Sequence, residues 1–295
     1  MKILLAIDSS SASQNVIAEA AARPWPSGTR FCVLHIVDVL GMGRSLAMID
    51  EEKCYGQAFV AAAAEKLVRA GHETSTDVLV GFPRKAVVQY AKEWGADFVM
   101  VGSHGQGALS RFLLGSVAQA VLRTAPCSVE VVRPRMNESR SRQGMKILFG
   151  TDGSDGASLA AKSVANRPWP AGSQVKIISA VQLLVPGNEL MMSSSSAIYP
   201  TSLLEEMWSE VRSSAREAVA EARKTLEAAG MKILAGETTP DGDPRVVLLA
   251  QAKEWDADLI VLGSYGRRGM DRILMGSVSE SVALHAHCSV EVIRG

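Results

Sequence analysis

Two stretches of this chain share one unusual pattern. VMVGSHGQGALSRFLLGSV runs from Val99 to Val117, and IVLGSYGRRGMDRILMGSV from Ile260 to Val278. In the first, Gly102 is followed after two residues by Gly105, then after nine by Gly115-Ser116. Gly263, Gly266 and Gly276-Ser277 repeat that spacing. Each stretch reads as a buried strand, a glycine loop and a helix start. Such a loop suits a phosphate, because a helix N-terminus offers free N–H groups and the positive end of the helix dipole.

The repetition extends well beyond these loops. MKILLAIDSSSAS matches MKILFGTDGSDGAS, and RPWPSGT matches RPWPAGS. GFPRKAVVQYAKEWGADFVMVGSHG matches GDPRVVLLAQAKEWDADLIVLGSYG. The offset is 144 residues between Met1 and Met145 and 161 between Gly81 and Gly242. The added length falls near the serine-rich stretch around 184–203. A repeat this long specifies two domains of one design. The expected boundaries are 1–134 for the first domain, 135–144 for a polar linker and 145–295 for the second.

Within the first copy, apolar runs alternate with helical patterns. Expected strands are 2–7, 31–37, 74–80, 98–101 and 128–132. Expected helices are 9–22, 55–70 and 84–94, with a fourth from Gly115 to about Thr124. Continuous apolar strands alternating with helices predict an α/β fold: a parallel, doubly wound sheet in each domain, helices on both faces. Ligands bind such sheets beyond the carboxyl ends of the strands.

Composition narrows the function classes. Hydrophobic residues make up 47% of the 295 and the formal net charge is zero, so no basic field points to nucleic acid or to an anionic membrane. The opening run MKILLAIDSS is broken by Asp8, too soon for a signal peptide or a membrane span, and a cytoplasmic location is expected. The four cysteines, Cys32, Cys54, Cys127 and Cys288, form no C-x-x-C pair, which argues against zinc and dithiol redox chemistry. His285, His287 and Cys288 have no matching ligands at Thr124 and Pro126, so no metal site is expected there.

The pocket chemistry follows from position. Asp8 closes the first strand and Asp152 is its counterpart. A carboxylate there accepts hydrogen bonds from a ribose hydroxyl or a base amine; the competing role is N-capping of the following helix. Gly102 and Gly105 are free to take positive φ and let a ligand approach the backbone. Gly115-Ser116 opens a helix, and the serine adds a donor. Arg111 and Arg272 precede the Gly-Ser pairs by four residues, placing them within reach of a phosphate or on a solvated helix side. No Gly-Lys-Ser/Thr is present, so the loop is not a Walker A loop, and the missing lysine weakens any case for fast phosphoryl transfer.

Taken together, Asp8, Gly102-x2-Gly105-x9-Gly115-Ser116 and their second copy resemble the universal stress protein family in its ATP-binding form. The resemblance covers nearly the whole chain. It implies a five-stranded sheet of order 3-2-1-4-5 in each domain. It implies that Asp8 and the backbone of Ile36 contact adenosine, that Gly102, Ser103 and Gly105 border the ribose, and that Gly115, Ser116 and Val117 hold the phosphates. In the second copy the corresponding residues are Asp152, Ala180, Gly263, Ser264, Gly266, Gly276, Ser277 and Val278. It also implies pairing of the domains through Val129–Arg133 and Val290–Arg294, with a homodimer left open. Magnesium would enter only through the phosphates. The function expected is an ATP-binding stress-response regulator with one adenine-nucleotide pocket per domain and little turnover. A slow or partner-activated ATP hydrolase and a purely structural module are the alternatives. The sequence names no signalling partner.

Overall fold

A computed structural model describes residues 1–38, 46–105, 114–134, 144–183, 201–235, 239–266 and 275–295. The first half runs β1 (Lys2–Ile7), α1 (Ser11–Ala22), β2 (Arg30–Asp38), α2 (Leu46–Arg69), β3 (Glu73–Gly81), α3 (Pro83–Trp94), β4 (Phe98–Gly102), α4 (Ser116–Thr124) and β5 (Ser128–Val132). The second runs β6 (Lys146–Gly150), α5 (Asp155–Ala165), β7 (Gln174–Ile178), α6 (Thr201–Ala228), β8 (Lys232–Ile233), α7 (Pro244–Trp255), β9 (Leu259–Gly263), α8 (Ser277–His285) and β10 (Ser289–Ile293). The α2 helix begins nine residues before the expected Tyr55, because Leu46 to Cys54 contains neither glycine nor proline to stop it. All of the expected linker but Gly144 (135–143), and most of the serine-rich stretch (184–200), lie outside the described residues.

The two expected sheets are halves of one. Ten strands run in the order β3-β2-β1-β4-β5-β10-β9-β6-β7-β8. Each half is parallel in the order 3-2-1-4-5, and β5 meets β10 antiparallel, with Val131 opposite Val290 and Glu130 opposite Glu291. The predicted pairing of the last strands therefore occurs within one chain and removes two exposed edges.

Side chains alternate across the sheet, so each strand feeds two cores. Leu4, Val99, Val129, Leu148, Ile260 and Val290 belong to one core that crosses the junction. Ile3, Leu5, Phe31 and Phe98 form a separate core in the first half, and Ile147, Phe149, Val175 and Val261 one in the second.

Between those separate cores the junction is ionic. Glu130 and Glu291 are fully buried and face each other. Arg23 donates from both Nη atoms to Glu130 at 2.8 Å, and Arg167 pairs with Glu291. Arg23 also binds Glu19, and its guanidinium lies over Trp25 and Trp169. Two further arginines reach across the junction. Arg133 donates to the carbonyls of Ala283 and Leu284 at the end of α8, and Arg294 to those of Leu122 and Ala125 at the end of α4. Each domain thus supplies the cation that the other's helix C-terminus favours. Burial lowers Arg133 to about 10, still far above neutrality, so it remains charged.

Candidate functional site

The carboxyl ends of β1, β2 and β4 converge on the start of α4. A cavity of about 720 Å³ opens there, within the usual range of small-molecule pockets. Asp8, Ile36, Gly102, Gly105, Gly115, Ser116 and Val117 all line it. Ser103 is fully buried and is not among the lining residues; its hydroxyl meets His104 Nδ1 at 2.8 Å. Arg111 and Arg272 lie outside the described residues.

Asp8 organises the near wall. Its Oδ1 accepts the Ser10 N–H at 3.0 Å and the Ser10 and Ser13 hydroxyls. It does not cap α1, because Ser10 does. Asp152 does the same with the Ser154 N–H at 3.0 Å, and Ser154 caps α5. In both domains the aspartate holds the turn two residues ahead of the cap, with Oδ2 turned toward the glycine loop. A Cβ on Gly105 would stand 3.0 Å from Asp8 Oδ2, and one on Gly266 only 2.5 Å from Asp152 Oδ2.

That contact changes the account of the glycines. Gly102, Gly105, Gly263 and Gly266 are not among the positive-φ glycines, contrary to expectation. They are required for space. A Cβ on Gly102 would lie 2.8 Å from Ala12 Cβ, and one on Gly263 2.5 Å from the Gly156 carbonyl carbon. Gly102 and Gly263 therefore admit the N-terminal turns of α1 and α5, while Gly105 and Gly266 admit the aspartates.

The far wall is the start of α4. Gly115 is its N-cap and has no side chain to satisfy the first N–H groups. The Gly115 N–H itself is taken: it donates to the Ser103 carbonyl at 2.8 Å, closing the mouth of the loop. Gly276 does likewise with Ser264 at 2.7 Å, so the free donors in both copies begin at the serines, Ser116 and Ser277. Both serines are exposed, and Val117 and Val278 are half-buried against the shared core.

The α2 and α3 helices complete the cavity with residues that sequence reasoning missed: Glu52, Tyr55, Gly56, Phe59, Pro83 and Val87. His35 also lines it. Its Nδ1 donates to the Ile7 carbonyl at 2.9 Å and its ring packs edge-on against Phe59. Gly56 was the available signal, since glycine inside a helix is costly without a reason. The reason is His35, whose Cδ2 would lie 2.8 Å from a Cβ at position 56. His104 also lines the cavity, and its Nε2 is buried without a hydrogen-bond partner among the described residues. No group of three His, Cys, Asp or Glu side chains among the described residues is placed to hold a metal. Among them, too, no helix is long and apolar enough to cross a membrane.

The model of the universal stress protein family matches residues 1–133 and again 145–294. The chain belongs to the universal stress protein family. A universal stress protein of Mycolicibacterium smegmatis is 26% identical over 302 residues, covering 99% of this chain and 96% of that one. One from Methanocaldococcus jannaschii is 34% identical over 149 residues, covering 50% of this chain and 81% of its own. Among solved structures, a universal stress protein from Archaeoglobus fulgidus superposes with a TM-score of 0.65 at 23% identity, covering 99% of this chain and 96% of that one. At that identity the superposition speaks for the fold: a tandem pair of universal stress domains.

Proposed function

We propose that the first universal stress domain binds an adenine nucleotide, ATP, and serves as a nucleotide-dependent regulator with little turnover. The observation that carries this reading is the cavity at the carboxyl end of the first half-sheet. An aspartate stands on one side of it, and the uncapped N-terminus of α4 on the other, joined by a glycine loop. The polarity suits a nucleoside phosphate. A carboxylate accepts from sugar hydroxyls, the apolar wall of Ala6, Leu34, Ile36 and Val101 suits a base, and free N–H groups with a positive helix end suit phosphates. Membership of a family with an ATP-binding form supports the same assignment.

Low turnover follows from what the described site contains. Among the described residues no lysine or arginine lines the cavity, and the loop carries no Gly-Lys-Ser/Thr, whereas phosphoryl transfer needs fixed cations on the transferring group. Magnesium would arrive with the triphosphate rather than on a protein carboxylate cage. Calorimetry with ATP on the full chain tests the reading. Binding at micromolar to millimolar ATP is expected, and its absence at millimolar ATP would overturn the assignment. Steady ADP release faster than about 1 s⁻¹, ordinary for an enzyme, would overturn the regulator.

A further inference from the structure

The two halves share their phosphate loops but not their floors. In the first domain the cavity floor includes Ala6 on β1, Val101 beside it on β4, and Val87 on α3. The repeat places Gly150, Leu262 and Leu248 at these positions in the second domain. Both valines have become leucine, and the alanine between them has become glycine.

The leucines use the room that the lost methyl leaves. A Cβ built on Gly150 would stand 2.4 Å from Leu262 Cδ2, and 3.0 and 3.4 Å from Leu248 Cδ2 and Cδ1. The two side chains therefore converge directly over the backbone of residue 150. Burial records the result. Ala6 is partly open, whereas Gly150 is buried; the flanking side chains are buried in both domains, Val87 and Val101 at 2% and Leu248 and Leu262 at 4%. The α2 wall is also altered. Tyr55, Gly56 and Phe59 correspond to Ser214, Ala215 and Ala218 on α6, and His35 to Ser179, so no aromatic ring is supplied there. What the second domain keeps is Asp152 against Gly266 and the uncapped start of α8.

We infer that the chain holds one adenine nucleotide, in the first domain, and that Leu248 and Leu262 close the base-binding floor of the second from within. The inference rests on the nucleotide reading of the first cavity and replaces the expectation of one pocket per domain. The cause is steric. A planar base needs a flat apolar slot beside the strand end, and leucine methyl groups that converge over Gly150 occupy that slot.

A reciprocal exchange of floors tests it, with ATP as the titrant and calorimetric stoichiometry as the readout. The parent chain should take one equivalent. Transplanting the first floor into the second domain, G150A with L248V and L262V, should raise this to two. Transplanting the second floor into the first, A6G with V87L and V101L, should lower it to none. Circular dichroism and a cooperative melt establish that each variant is folded. If either triple variant is unfolded, L262V alone and V101L alone make the same comparison through weak second-site binding and through loss of first-site affinity of tenfold or more. Two equivalents on the parent would overturn the inference and leave the nucleotide reading standing. So would a folded second-domain variant that still takes one equivalent. No binding by the parent would overturn the nucleotide reading, and this inference with it.

Discussion

Removing Arg23 should cost this protein more than any change on its surface. The side chain is 2% exposed, holds Glu130 through two bonds of 2.8 Å, and stands 4.0 Å from Glu291. Arg23→Met keeps most of the volume and removes only the charge. It leaves Glu130 and Glu291 directly opposite across β5 and β10, both fully buried, with Arg167 as the remaining near cation. Breaking a buried pair from one side costs about 3–5 kcal/mol, because the surviving charge has lost both water and partner. Burial already raises the Glu130 carboxyl above its ordinary value against the pull of Arg23. Without Arg23 it rises further. A carboxyl raised in the folded state contributes stability below its unfolded value, near 4.3, and loses it as pH rises through the folded value. The deficit of Arg23→Met should therefore be largest at neutral pH and shrink toward pH 4. Urea unfolding followed by circular dichroism measures it. Adding Glu130→Gln should restore part of the loss, with a coupling of about 1–3 kcal/mol between the two sites. A single-variant cost below about 1 kcal/mol, or a double variant weaker than Arg23→Met, would refute the claim that this pair holds the junction.

Other consequences can be checked separately. Gly115→Val places a branched side chain 3.4 Å from the Gly105 N–H and against the Ser103 carbonyl, so ATP affinity should fall at least tenfold; calorimetry showing unchanged affinity would contradict the placement of the site. Gly263→Ala should destabilise more than Gly102→Ala, within about 1–3 kcal/mol for overpacking, since its Cβ meets α5 backbone at 2.5 Å rather than a methyl group at 2.8 Å; thermal melts would show the order. Of the four cysteines only Cys54 is exposed, so a thiol reagent at pH 8 should label one site in the folded chain and four after denaturation. Burial pushes Cys127 up to about 11 and Cys288 up to about 12. Their thiols thus contribute stability that is complete below the unfolded value near 8.5 and is lost as pH rises toward 11–12. Cys127→Ala and Cys288→Ala should each flatten that alkaline decline in urea-melt stability.

Much of the architecture was legible because its signals are local or repeated. Apolar runs bounded by glycine and proline located the strands, and the self-match of the chain gave the domain count without any coordinates. The helix starts at Gly115 and Gly276 also stand in the sequence, and the pairing of VEVVR with VEVIR followed from the family resemblance. Asp8 stands beside the loop as expected, and of the two roles weighed for it the structure removes N-capping, which Ser10 performs. Which of Asp8 and Ser10 caps α1 depends on a difference of two residues in where the helix begins, and pattern alone does not resolve that.

The remainder required three dimensions. Arg23 and Arg167 sit in two copies of RPWP that look like surface turns. Only the antiparallel meeting of β5 and β10 shows that each faces a buried glutamate from a strand more than a hundred residues away. Gly102 and Gly105 resembled glycines chosen for conformational freedom, and the structure shows them chosen for the absence of a side chain. Val101 and Leu262 occupy matching positions of the two copies. Their difference acquires meaning only where a leucine methyl group meets the space above Gly150. The sequence by itself determined two domains, the parallel strands and the two glycine loops, because those depend on patterns within a few tens of residues. Tertiary structure alone decided which charges are buried together and that Leu248 and Leu262 converge over Gly150, because both depend on contacts between elements far apart in the chain.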